Sequence, residues 1–246
     1  MSAARPSPVC TAILVAAGSS RRMGMDKLAW PLAGIPVLRR TLEAFLAADS
    51  IAAVVVVCPP ELGCLLGGPG FPKPVTRVDG GADRQGSVAC GLAVIDPATR
   101  FVAVHDGARP LIAPEDIDRC VAAAIQHRAA ALARRATETM LRADADDFSA
   151  APVSREHLWC METPQVFATA LLREAYSAVT ARGLLVTDEV SAVLASGTQV
   201  KFIASRHPNL KITTPADLAL AEALLRSGDI PVPPANESPP KPPETP

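Results

Sequence analysis

The order of apolar and polar positions reads as buried strands alternating with amphipathic helices. Residues 9–17 (VCTAILVAA) form an unbroken apolar run that stops at Gly18, the pattern of a strand covered on both faces. In residues 37–48, Leu38, Leu42, Phe45 and Leu46 fall on one helical face. Residues 52–58, with valines at 54 to 57, predict a second buried strand, and residues 75–78 a short third. Residues 87–95 suit a helix, and 101–105 a strand opening into DGARP. Residues 114–127 suit a helix with Pro114 in its first turn, followed by an apolar stretch at 129–133. Helical patterns return at 168–181 and 188–196, a strand at 199–204 and a last helix at 215–226. Such alternation predicts an α/β fold with a parallel or mostly parallel sheet.

Two stretches break the pattern. From Arg134 to Trp159 the chain is polar, with Asp144, Asp146 and Asp147 as turn formers, and an excursion of this kind is usually functional or an interaction arm. Residues 231–246 hold eight prolines (231, 233, 234, 239, 240, 242, 243 and 246), which excludes helix and central strand there. The expected organisation is a globular unit at 9–228, an arm at 134–158 within it, and a disordered proline-rich tail at 229–246.

Composition narrows the function classes. With 24 basic and 25 acidic side chains the net charge is -1, so no general attraction to nucleic acid or an acidic membrane is expected. Aromatic residues are only 4%, which argues against a base-stacking platform. No segment approaches the ~20 apolar residues of a membrane span. The start, MSAARPSPVC, does not read as a secretory signal. The six cysteines lack C-x-x-C spacing and are expected to be buried free thiols of a cytoplasmic protein.

The chemistry gathers at the ends of the strands. AAGSSRRMGMDKL (16–28) follows the first strand, and Gly18 with Arg21, Arg22 and Lys27 makes a glycine turn ringed by cations, suited to polyphosphate. It is neither a dinucleotide fingerprint nor a P-loop. VDGGADRQGS (78–87) is a glycine turn able to meet a base edge, with Ser87 near a helix start; taken alone it equally suits a plain turn with a serine cap. VHDGARP (104–110) places Asp106 and Arg109 at a strand mouth, where a carboxylate can hold a metal or ribose hydroxyl and an arginine can clamp phosphate; a local ion pair is the competing reading. Later come TPQVF (163–167), TDE (187–189) with Thr187 as the expected helix cap, and NLKIT (209–213).

Together and in this order, HDGARP, TPQVF, TDEVSAV and NLKITTPADLALAE resemble the 2-C-methyl-D-erythritol 4-phosphate cytidylyltransferases of non-mevalonate isoprenoid synthesis, over residues 12–224. The resemblance implies a Rossmann-like nucleotide-diphospho-sugar transferase fold with a protruding β-arm that dimerises. It implies an Mg2+-dependent reaction of CTP with methylerythritol phosphate that releases pyrophosphate. Arg22 and Lys27 match the pair that stabilises charge at the α-phosphate. Ala16, Ala17, Gly18, Gly81 and Ser87 match the nucleoside surroundings. Asp106, Arg109, Thr163, Thr187 and Lys211 match the substrate and metal region, with Asp106 as metal ligand. Thr139 and Arg155 match arm residues that reach the partner's site, and Arg155 with Lys211 would hold the attacking phosphate. In-line attack at phosphorus needs positioning and charge neutralisation rather than a His or Cys nucleophile, which fits a site made of cations.

The match has departures. The segment from Arg22 to Lys27 is shorter than in many members, Asp26 stands where proline is common, and RRATET (134–139) replaces a pattern nearer A-x-P-V-x-D-T. The GMDKL form also occurs in transferases acting on the molybdenum cofactor. A related nucleotidyltransferase using an alditol phosphate or that cofactor is the alternative, and TDEVSAV with Lys211 argues against it. Retention of both Arg22 and Lys27 argues against a silent nucleotide-binding protein.

Overall fold

The computed structural model describes residues 8–18, 26–67, 70–228 and 230–231. Strand β1 (Cys10–Val15) is followed by a small hairpin of β2 (Pro31–Leu32) and β3 (Ile35–Pro36), then α1 (Val37–Ala47) and β4 (Ile51–Val57). A 3-10 turn at Pro60–Leu66 leads to β5 (Val75–Val78), α2 (Arg84–Val94), β6 (Phe101–Asp106), α3 (Pro114–His127) and β7 (Ala129–Arg135). Strands β8 (Met140–Ala143) and β9 (Ser149–Val153) form a separate hairpin. The chain continues through β10 (Trp159–Ala168), α4 (Thr169–Ala181), α5 (Glu189–Ala195), β11 (Lys201–Ala204) and α6 (Pro215–Ser227).

The main sheet has seven strands in the order β11-β7-β10-β6-β1-β4-β5. Within it β10 alone runs antiparallel to its neighbours, so the predicted mostly parallel α/β sheet is what forms. Alternate residues of the strands feed two cores. Ala12, Leu14, Val54 and Val56 pack with α1, α3 and α6, whereas Ile13, Val55, Val57 and Val104 pack with α2, α4 and α5. Burial on both faces is why these strands are apolar throughout instead of alternating.

Two strands differ from their sequence reading. The stretch 129–133, read only as apolar, belongs to β7: five residues that include four alanines are fully buried between β11 and β10, where sheet context outweighs alanine's helix preference. Residues 159–168 form one long strand despite Pro164, whose missing amide falls where the ladder with β7 skips from Met161 to Gln165. The six cysteines are free, yet only Cys10, Cys58 and Cys120 are buried; Cys64 is exposed and Cys90 and Cys160 are half-buried. Ile230 packs into the core with 6% exposure, so chain packing extends past the expected boundary at 228, while 232–246 lie outside the described residues. Among the described residues no helix is long and apolar enough to cross a membrane.

Candidate active site

In the sheet β1 lies between β6 and β4, and Val15 at the end of β1 pairs with Asp106 at the end of β6. The chain leaves β1 for β4 and returns to β6 from the other side, which is the switch point where open α/β sheets bind ligands. A cleft of about 520 Å3 opens there. Its walls are the loop after β1, the turn before α2, the end of β6 and Lys211 ahead of α6.

Asp106 is the centre of charge. Its Oδ2 lies 2.8 Å from Lys211 Nζ, its Oδ1 3.3 Å from Arg84 Nε, and Arg109 Nε approaches within 3.6 Å. Burial opposes ionisation of the carboxyl, but Lys211, Arg84 and Arg109 outweigh it and hold its pKa well below the usual carboxylate range. The segment that carries Lys211 is docked by backbone contacts. Ile212 N donates to Ala108 O at 2.8 Å, Arg109 Nη1 to Asn209 O at 2.6 Å, and Asn209 Nδ2 to Thr163 O at 2.6 Å. Lys27 Nζ donates to Ile212 O at 2.9 Å, which sets a second lysine on the same wall.

The glycine turn before α2 is built for close approach. A Cβ on Gly80 would overlap that of Ala17, and one on Gly81 would sit 2.5 Å from the Gly86 carbonyl carbon. Gly18, by contrast, has an ordinary φ and would meet no described atom within 4 Å of a Cβ. The tight turn is therefore at 80 and 81, while Gly18 leaves open space on the cleft wall. Asp83, not Ser87, caps α2, accepting from Gly86 N at 2.7 Å. Ser87 Oγ accepts from Gly81 N at 3.1 Å and donates to Asp83 O at 2.8 Å, so it braces the turn from within.

The cleft thus brings together Ala16, Ala17, Gly18 and Lys27 from the first loop, Gly81 and Ser87 from the second, and Asp106 and Lys211. The other predicted residues lie elsewhere. Arg109 and Thr163 are behind Asp106: the arginine ties two loops together, and Thr163 Oγ1 accepts from Asp106 N at 3.1 Å. Thr187 is exposed and does not cap α5; Asp188 does, because it stands at the N-cap position, three residues before Ser191, and accepts from Ser191 N at 2.9 Å. Thr139 and Arg155 are exposed on the arm segment, where Arg155 Nη1 donates to Thr137 O at 2.6 Å. Arg22 lies outside the described residues. Sequence reading missed Arg84, a cation inside a motif that otherwise looked like a plain turn.

His105, under Asp106, is held neutral. Burial pushes its pKa down to about 3, against a weaker pull from Asp106. Its Nε2 faces Arg109 O at 3.4 Å, a carbonyl that can only accept, so in the neutral ring Nε2 carries the proton and Nδ1 accepts from Thr163 Oγ1 at 2.9 Å. Below the ordinary histidine pKa of about 6.5 an unfolded chain binds a proton here that the folded chain refuses. Stability should therefore fall as pH drops through 6.5, the slope approaching about 1.4 kcal/mol per pH unit by about pH 5 and holding towards pH 3. Denaturant titrations at several pH values check this, and His105→Asn should flatten the slope at lower overall stability.

A mostly parallel sheet with a cation-walled cleft at its switch point is the form of a nucleotidyltransferase-type α/β protein. The family model for IspD, 2-C-methyl-D-erythritol 4-phosphate cytidylyltransferase, matches residues 10–227. The chain belongs to that family of nucleotidyltransferases. It is 39% identical over 223 residues to the 2-C-methyl-D-erythritol 4-phosphate cytidylyltransferase of Pelotomaculum thermopropionicum, covering 88% of this chain and 94% of that one. The crystal structure of the Thermus thermophilus 2-C-methyl-D-erythritol 4-phosphate cytidylyltransferase is 34% identical, with a TM-score of 0.73 and coverage of 89% and 99%. That of 4-diphosphocytidyl-2C-methyl-D-erythritol synthase from Anaerococcus prevotii is 26% identical, with a TM-score of 0.79 and the same coverage.

Proposed function

We propose that the cleft transfers the cytidylyl group of CTP to 2-C-methyl-D-erythritol 4-phosphate, releasing pyrophosphate. The observation that carries this reading is Asp106 clasped between Arg84 and Lys211, with Lys27 on the same wall. Two polyanions must be brought together against their repulsion, and a cluster with more cations than carboxylates lowers that cost. Lys27, together with Arg22 from the first loop, neutralises charge growing on the α-phosphate. Lys211 and an arm arginine hold the acceptor phosphate in line. The small Ala16, Ala17 and the tight Gly80–Gly81 turn let a pyrimidine lie close to the backbone and exclude the larger purine.

Mg2+ fits this donor set. Magnesium is commonly held by one or two carboxylates plus substrate phosphates, and Asp106 is an ionised carboxylate in the cleft. Among the described residues no group of three His, Cys, Asp or Glu side chains forms a cage of its own. When bound, the ion supplies charge neutralisation to the phosphates. Both substrates are water-soluble anions, in keeping with a cytoplasmic enzyme that needs neither membrane nor nucleic acid.

Residues 9–228 act as the catalytic unit and 134–158 as an arm for a second copy. Leu141 and Phe148 on the arm are 60% and 72% exposed, and an isolated two-stranded hairpin is marginal in water, so a symmetric partner is the simplest cover. Thr139 and Arg155 would then enter the partner's cleft. Mixing inactive Lys27→Ala chains with inactive Arg155→Ala chains should restore part of the activity, since one of the two sites in a heterodimer is intact. Confirmed subunit exchange with no recovery would rule the shared site out. The reaction itself is tested by pyrophosphate release from CTP with a panel of phosphorylated polyols. Methylerythritol phosphate should be the preferred acceptor, and equal turnover with GTP or ATP would refute the cytidylyl assignment.

A further inference from the structure

Behind the cleft lies a charge that the reaction above does not use. Glu189, the first residue of α5, has no exposed surface. It accepts from Arg84 Nη1 at 2.6 Å and Nη2 at 3.0 Å, and from Tyr176 Oη at 2.9 Å. The start of α5 is locked to β10 by Gln165, which donates to Asp188 Oδ2 at 2.9 Å and accepts from Val190 N at 2.9 Å. Glu189 therefore has little freedom to move. A buried Arg–Glu pair is a weak device for stability alone, because apolar residues of similar volume often do as well.

The geometry gives the pair another use. A guanidinium carries its donors in one rigid plane. With both terminal nitrogens of Arg84 on Glu189, the plane and position of the guanidinium are fixed, and in that position its side edge meets a single oxygen of Asp106, through Nε at 3.3 Å. The other oxygen of Asp106 meets Lys211 at 2.8 Å, with Arg109 Nε further off at 3.6 Å. An arginine released from Glu189 would fork onto both carboxylate oxygens, the geometry it favours, and displace the lysine.

We propose that Glu189 is a positioning residue for the transfer: by fixing the orientation of the Arg84 guanidinium, it limits that arginine to one contact with Asp106 and so keeps Lys211 in place for the acceptor phosphate. This role rests on the reading of the cleft under Proposed function.

Steady-state kinetics with CTP and methylerythritol phosphate test it, on the wild type, Glu189→Gln, Arg84→Met and the double variant, with a melting temperature for each. Glu189→Gln is expected to raise the acceptor KM about tenfold, with kcat and the KM for CTP within about threefold of wild type. In the Arg84→Met background the same substitution should add nothing, because Glu189 acts through Arg84. Tyr176→Phe leaves both charges and removes one donor to Glu189. It should shift the acceptor KM in the same direction by about two- to threefold, and it decides the matter if Glu189→Gln does not fold. Effects of the Glu189 and Arg84 substitutions that multiply, or a loss confined to kcat, overturn the role. A wild type that releases no pyrophosphate overturns the reaction and this role with it; an active wild type with multiplying effects overturns the role of Glu189 alone.

Discussion

Lys27→Ala is expected to lower kcat by about 10²–10³ while the melting temperature changes little. The side chain lines the cleft wall and is oriented by its bond to Ile212 O at 2.9 Å, so its charge is fixed before any nucleotide arrives. A fixed charge loses nothing to reorganisation as negative charge builds on phosphorus, which is why one such group carries a large factor in rate. Lys27→Met keeps most of the apolar stem and should be as slow as the alanine variant. Stopped-flow pyrophosphate release checks both, and normal turnover by either would remove Lys27 from the mechanism.

Asp106→Asn should do two things at once. Turnover should fall by at least the same factor, and stability should drop by about 3–5 kcal/mol, the cost of removing one member of a buried charge cluster. The carboxylate is 10% exposed and faces Lys211, Arg84 and Arg109; the amide leaves three cations with one shared anion gone. Added pyrophosphate should then raise the melting temperature of the variant more than that of the wild type, because an external anion refills the gap. Equal stability of variant and wild type in calorimetry would show that the cluster contributes nothing to the fold.

Much of this was legible in the chain because its strands are buried on both faces and carry no competing pattern. Strands β1, β4 and β6 and helices α1, α3 and α6 stand close to where their apolar runs place them. The reading weakened where tertiary contact overrides local preference. A row of alanines became β7 only because two neighbours cover it, and Pro164 sits in a strand only because the ladder skips it. The site divides in the same way. Gly81, Asp106 and Lys211 were identifiable from strand ends and family motifs, since a strand mouth advertises its chemistry. Arg84 and Glu189 were not, because their pairing joins α2 to α5 across 105 positions of sequence. No spacing rule reports a partner that distant. Thr187 and Asp188 are adjacent capping types, and which of them takes the N-cap position three residues before Ser191 is set by where the backbone turns into α5.

The bond from Lys27 to Ile212 spans 185 positions. Together with Lys211 on Asp106 and Ile212 on Ala108, it makes the cleft depend on a segment that leaves the ribosome after every strand of the sheet has done so. Chains fold from their N-terminal side during synthesis at roughly 5–20 residues per second. A nascent chain therefore owns the sheet before it owns the charge cluster, and it holds no competent pocket for nucleoside triphosphate until its closing segment docks.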